Sequence, residues 1–175
     1  SVASLNALAQ AHRISTSGEP TGEGVVLRPG SAPGAGQATA FAGDVIVTRR
    51  NDRRLSVFAG RDFVKNGDRW NVEGVGEDGS LQVRHVEHGG TVTLPAEYVR
   101  ENVELGYALT VHRAQGATVD TAHALIDSRA DRAGAYVGLS RGREQNNLYV
   151  RLNEGEKLDD VLETVAARHD GEAQL

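Results

Sequence analysis

Two short stretches hold the side chains best suited to chemistry. In "GYALTVHRAQGATVD", Gly106 to Asp120, an apolar run ends abruptly in Thr110, His112, Arg113 and Gln115, just ahead of Gly116. Polar groups where a buried strand ends can line a ligand crevice, and a glycine there permits backbone geometry that other residues resist. In "YVGLSRGREQNNLYV", Tyr136 to Val150, Arg141 and Arg143 fall between a helical and a strand-like pattern. Read alone, Arg141 could equally be a surface residue paired with Glu144 at helical spacing, and Arg143 could simply face solvent. Other chemistries are weakly supported. His85 and His88 in "HVEH" suggest a metal pair, but strand alternation sends positions three apart to opposite faces, so no metal site is expected. Asp127, at the end of "ALID", has no second carboxylate beside it and reads as a cap or as the ion-pair partner of Arg129 or Arg132. No Ser, His and Asp arrangement has a recognisable context.

Composition bounds the function classes. A chain of 175 residues makes one domain, or one domain with a small insertion. Its 39% hydrophobic and 25% charged residues are those of ordinary soluble chains, and no apolar run approaches the roughly 20 residues that span a membrane. The N-terminus shows no charged segment followed by an apolar core and a small-residue cleavage site, so export is not expected. Cysteine is absent, which excludes disulfides, Cys-based zinc sites and a Cys nucleophile. Methionine is absent too and the chain opens on Ser1, so a piece of a longer protein is expected. The net charge of -5 is unevenly spread: Arg49 to Arg69 holds seven basic residues against three acidic ones, while Trp70 to Glu104 and Asn153 to Leu175 each hold seven acidic against two basic. The basic stretch is either a phosphate-attracting surface or a solvated Arg-rich loop.

These residues need elements to position them. "VASLNALAQAHRI" spaces Val2, Leu5, Leu8 and Ala9 as a helix, and Ser15 to Gly36 reads as a loop with a short strand at "GVVLR". "GDVIVTRR" reads as a strand ending in Arg49 and Arg50, and Asn66-Gly67 as a turn between strands. "WNVEGV", "SLQVRHV" and "TVTLP" form a small antiparallel meander or barrel, bracketed by Trp70 and Tyr98, which are its core or a surface for base stacking. Thereafter "LGYALTV", "TAHALID", a helix over "DRAGAYVGLSRGR", the strand "NLYVRL" and an amphipathic helix with Leu158, Val161, Leu162 and Val165 alternate as in a parallel α/β sheet. Thr110 and His112 are thereby placed at the carboxyl end of a central strand. Tyr107 reads as core.

The same stretches carry a family resemblance. "GYALTVHRAQGATVD" resembles motif V of superfamily 1 helicases, and "YVGLSRGREQNNLYV" resembles motif VI, which supplies an arginine finger. "VKNGDRWNV" resembles the opening of the SH3-like insertion in the branch that includes the exonuclease V alpha subunit. "RAQGATVDTAHALID" with "SRGRE" is most similar to the helicase part of MobF-class conjugative relaxases of the TraA and TrwC type. The resemblance runs from about Ser4 to Leu152. It implies an α/β fold: the second RecA-like motor domain of P-loop-NTPase type, over 1–69 and 105–152, interrupted by an SH3-like antiparallel insertion at 70–104, with a C-terminal helix and tail at 153–175. Gly138, Gly142 and Ser140 stand where motif VI commonly has Ala, Ala and Thr.

What the resemblance implies for the site is specific. Arg141 is the arginine finger, with Arg143 as a possible second phosphate contact; Gln115 and Gly116, with Arg141, meet the nucleotide. Thr110, His112 and Arg113, together with Arg49 and Arg50, contact single-stranded DNA; a structural imidazole at His112 and a solvated Arg49–Arg50 pair are the bland alternatives. No Gly-rich loop precedes Lys65 or Lys157, so this chain is not expected to hydrolyse ATP alone. ATP and Mg²⁺ would bind in the intact protein, against a first RecA-like domain, in a bacterial cytoplasm and without a membrane partner. Two other readings stay open: a non-catalytic helicase-like module that docks DNA or a protein, and a stand-alone SH3-like adaptor in which Arg141 has no role.

Overall fold

The computed structural model describes residues 1–20, 22–29, 37–116 and 118–168. Parts of the loop expected at 15–36 and of the tail expected at 153–175 lie outside them. The chain divides into two compact units, Ser1–Ala108 and Leu109–Leu175.

The first unit begins with α1 (Val2–Ser17), capped by the Ser1 hydroxyl, which accepts the Ser4 amide, and ended by Gly18 at φ 86°. The apolar stripe expected on this helix is not what docks it, since Leu8 is 67% exposed. A polar stripe docks instead, with Asn6, Gln10 and Arg13 at helical spacing. Asn6 exchanges hydrogen bonds with both backbone groups of Ala108, at 2.7 and 3.3 Å. Gln10 Nε2 and Arg13 Nε donate to the fully buried Asp44 at 2.6 and 2.9 Å, which also accepts from the Phe41 amide and the Tyr107 hydroxyl.

Strands β1 (Val25–Val26) and β2 (Thr39–Ala40) pair antiparallel, and β3 (Val45–Thr48) follows. After the hairpin of β4 (Asp52–Val57) and β5 (Asp62–Val64) come β6 (Arg69–Val75), β7 (Leu81–His85), β8 (Thr91–Leu94), α2 (Ala96–Asn102) and β9 (Val103–Leu105). Five of these strands form one antiparallel sheet in the order β8-β7-β6-β3-β9. Alternation is clean on β7, where Leu81, Val83 and His85 point inward, and Trp70 is fully buried among Ile46, Leu81, Leu94, Val99 and Val103. Its indole donates to Thr48 Oγ1 at 3.3 Å, and that hydroxyl donates in turn to the Lys65 carbonyl at 2.6 Å.

"GDVIVTRR" forms the strand read from the sequence, and β3 lies inside the antiparallel sheet, between β6 and β9. "LGYALTV", by contrast, is not a central parallel strand. Its first residue ends β9, and the Gly106 amide donates to the Val45 carbonyl at 2.8 Å, with the two backbones so close that a Cβ would lie 2.7 Å from Ile46 C. The run therefore ends the antiparallel sheet at its β9 edge before the chain leaves it.

The second unit comprises α3 (Val111–Ala114), β10 (Val119–Ile126), α4 (Arg132–Leu139), β11 (Gly142–Val150) and α5 (Leu158–Ala167). Its sheet is β10 and β11 alone, paired in parallel. The expected helix over "DRAGAYVGLSRGR" stops at Leu139, because Gly142 already belongs to β11. Asp131 caps α4 by accepting the Gly134 amide at 2.6 Å. On α5, Val161 and Val165 are buried against Ile126, whereas Leu158 and Leu162 of the expected stripe stay half exposed.

Candidate nucleotide and nucleic-acid site

The site is built around the ends of two strands. Thr110 stands at the N-cap of α3, where its carbonyl accepts the Arg113 and Ala114 amides at 3.0 Å each while its hydroxyl makes no cap bond. His112, Arg113 and Gln115 are exposed, and Gly116 turns the chain with φ 87°, the left-handed region that glycine enters without strain. Val111 packs toward Gly138 of α4, where the space allowed to a Cβ ends 3.1 Å from Ala124 Cβ. The α3 turn, α4 and β10 are thus in close contact, and a glycine at 138 is what permits it.

Arg141 lies in the link between α4 and β11. Its Nε donates to the Val137 carbonyl at 3.0 Å and its Nη2 to Ser140 Oγ at 2.9 Å, so the guanidinium folds back on the carbonyl end of the helix, where cations are stabilised. Its carbonyl accepts the Val119 amide at 3.0 Å. Gly142 follows under tight constraint: a Cβ would lie 2.1 Å from the Gln145 carbonyl oxygen, and the Asn146 side chain bonds both Gly142 backbone groups at 2.8 and 3.0 Å. Arg143 pairs with Asp120 at 3.2 Å, both widely exposed, rather than contacting Arg141 or standing alone.

These contacts correct the placement read from sequence. The Gln115–Gly116 turn, Asp120, Arg141 and Arg143 gather at the amino edge of β10 and β11, not at a carboxyl edge. The physical reason is that Thr110 to Ala114 form the cap and turn of a short helix instead of a strand end. Arg49 is also reassigned: its guanidinium donates to Glu104 at 2.7 Å, with both side chains largely buried, and so ties β3 to β9. Arg50 is exposed, and its carbonyl accepts the hydroxyl of the buried Tyr98. Burial pushes that phenol up to about 12, as it does Tyr107 beside Asp44.

His85 and His88 stack 3.6 Å apart, contrary to the opposite faces expected of them, because β7 ends at His85 and the following turn brings His88 back. Among the described residues no group of three or more His, Cys, Asp or Glu could hold a metal. Asp127 pairs with Arg129 and Arg151, and hydrogen bonding from Arg129 holds its carboxyl down at about 2. Sequence reading missed the Asp120–Arg143 pair, the Asp131 cap and the Asp44 cluster. Only the cap had a local signal, an acidic residue just before a helical run.

Comparison with known proteins follows the same division. Residues 33–104 match the Rv2311 SH3-like barrel domain family. That segment is similar to an SH3-like barrel domain. The matched span includes β3 and β6 to β8. The Rv2311 protein of Mycobacterium tuberculosis is 34% identical over 102 residues, 56% of this chain and 59% of that protein. The conjugal transfer protein TraA of Agrobacterium fabrum is 35% identical over 129 residues, 73% of this chain but 11% of TraA. This chain therefore spans about a tenth of the TraA protein's length. Among solved structures, Bacteroides Pif1 bound to single-stranded DNA superposes with a TM-score of 0.51 at 19% identity, over 80% of this chain and 38% of Pif1, which is a likeness of fold. Among the described residues no helix is long and apolar enough to cross a membrane.

Proposed function

We propose that this chain is part of the second motor domain of an ATP-dependent superfamily 1 DNA helicase working in conjugative DNA transfer, with the SH3-like barrel as an insertion. The observation that carries the reading is the backbone bond from Val119 to Arg141, which holds the Arg141 link to the start of β10, a few residues along the chain from Gln115 and Gly116. Sequence kinship with TraA supports the setting, and the Pif1-like fold supports a motor. In this reading ATP lies between this domain and a first RecA-like domain that holds the phosphates and Mg²⁺. Arg141 leaves the Val137 carbonyl to meet the phosphoryl group in transfer, where an arginine finger contributes about 10³ to 10⁵ in rate. Arg143 is released from Asp120 as a second contact. Gln115 and Gly116 sense the nucleotide, Thr110, His112 and Arg113 hold phosphates of a single strand, and Arg50 is a separate phosphate contact.

Lys65 pairs with Asp62 and belongs to no phosphate-binding loop, so turnover needs the partner domain. The test is binding of a fluorescent oligothymidylate to this chain in comparison with a His112→Ala/Arg113→Ala variant. Weak binding that falls steeply with salt and drops in the variant supports the reading; equal binding by the two contradicts it.

A further inference from the structure

The β4–β5 hairpin combines three features that the barrel core does not require. Val57, beside the tip, and Val64, at the far end, are both fully buried, yet the register slips: Asp52 faces Val64 and Ser56 faces Phe63, with Arg53 and Arg54 exposed and Leu55 packed on the core in the shifted stretch. On the outward side, the Arg53 guanidinium sits 4.7 Å from the Phe63 ring centroid and Lys65 Nζ sits 5.4 Å from it. At the tip, Phe58 has φ 52° and Ala59 φ 54°, followed by Gly60 at φ 90°. A left-handed conformation is rare for a bulky side chain and persists where its surroundings impose it. Here it carries the Phe58 ring outward, 44% exposed, with one edge toward His88 at 5.0 Å and the exposed Arg61 beside it.

We infer that this hairpin is a second contact for single-stranded DNA, in which Phe58 stacks on a base while Arg53 and Arg61 neutralise flanking phosphates. An exposed ring on a hairpin that also carries exposed arginines fits a single strand, whose bases are open to stacking, better than a duplex, whose bases are closed. Arg50, Arg53, Arg54 and Arg61 are exposed, and 49–69 holds seven basic residues against three acidic ones in a chain of net charge -5. The proposal rests on the reading of the chain as part of a DNA motor, and adds a contact outside the motif residues.

The experiment titrates this chain into a fluorescent oligothymidylate and follows anisotropy across salt concentration. Phe58→Gly removes the ring and relieves the backbone, so the melting temperature is expected to hold or rise while binding weakens about fivefold or more. Arg53→Ala/Arg61→Ala should lower the log–log salt slope by about 1.4, at about 0.7 per phosphate contact on single strands. Wild-type affinity and slope in both variants overturn the proposal, as does absence of oligonucleotide binding by the wild-type chain. Weakening by His112→Ala/Arg113→Ala alone overturns the hairpin contact and leaves the motor reading standing. Weakening by the hairpin variants alone supports the hairpin and removes the role given to His112 and Arg113.

Discussion

The amide of Val119 donates to the carbonyl of Arg141 at 3.0 Å, so the first residue of β10 and the link ahead of β11 are held as one piece. A shift of the Gln115–Gly116 turn, three residues before Val119, therefore bears on the backbone that carries the Arg141 guanidinium.

Gly142 is the weak point of that piece. A Cβ there would meet the Gln145 carbonyl oxygen at 2.1 Å, so Gly142→Ala must shift backbone and should destabilise the second unit by about 1–3 kcal/mol. Gly138 behaves differently. Its Cβ would meet only Ala124 Cβ at 3.1 Å, and Ala gains roughly 1 kcal/mol in helix propensity, so Gly138→Ala should be near neutral while Gly138→Leu should wedge α4 from β10. Thermal denaturation of the three variants checks the order.

Asp44 is the hub that fixes α1 to the barrel sheet. It is fully buried and accepts from Gln10, Arg13, Phe41 and Tyr107, so Asp44→Ala strands the Arg13 charge and should cost about 3–5 kcal/mol. Tyr107→Phe removes one hydrogen bond to a carboxylate and should cost about 1.5–3 kcal/mol. Chemical denaturation separates the two.

The turn after β7 should be acid-sensitive. His85 Nδ1 accepts the Glu87 and His88 amides at 3.2 and 3.4 Å, and His88 Nδ1 accepts the Gly90 amide at 3.1 Å. Protonating the His88 nitrogen sets donor against donor. Burial first, and the neighbouring His85 second, lower the His88 value below its ordinary 6.5. A base with a depressed folded value stabilises the fold above its unfolded value and loses that contribution as pH falls through the folded one. Stability should therefore decline below about pH 6.5 in wild type and less so in His88→Gln, as read by melting temperature against pH.

Asp127 acts in a different window. Its carboxyl is held at about 2 chiefly by hydrogen bonding from Arg129, so its contribution is present above its unfolded value of 3.8 and is lost as pH falls toward 2. Both arginine partners are well exposed, so Asp127→Asn should cost only about 0.2–1 kcal/mol at neutral pH. The same melting series, carried into acid, resolves this step from that of His88.

Much of this was legible where local pattern decides the outcome. The alternation of Leu81, Val83 and His85 and the Asn66-Gly67 turn are short-range signals, and both appear as read. β3 was legible as a strand but its sheet was not, because a β-branched run looks the same in a parallel or an antiparallel sheet and its neighbours β6 and β9 are chosen by tertiary pairing. The helix start at Val111 was hidden because "LGYALTV" is apolar throughout and Thr110 marks the boundary without a side-chain cap bond. Asp44 was invisible for a related reason: its partners lie 3 to 63 positions away.

The measurement that bears most directly on the central claim is ATP hydrolysis by the complete reading frame that carries this chain, with and without single-stranded DNA, for wild type and Arg141→Ala. The account predicts DNA-stimulated turnover in the wild type and a loss of about 10³-fold or more in the variant, with ATP binding and fold retained. Absence of turnover in the wild type, or unchanged turnover in Arg141→Ala, would contradict it and favour a module that docks DNA or protein without driving a motor.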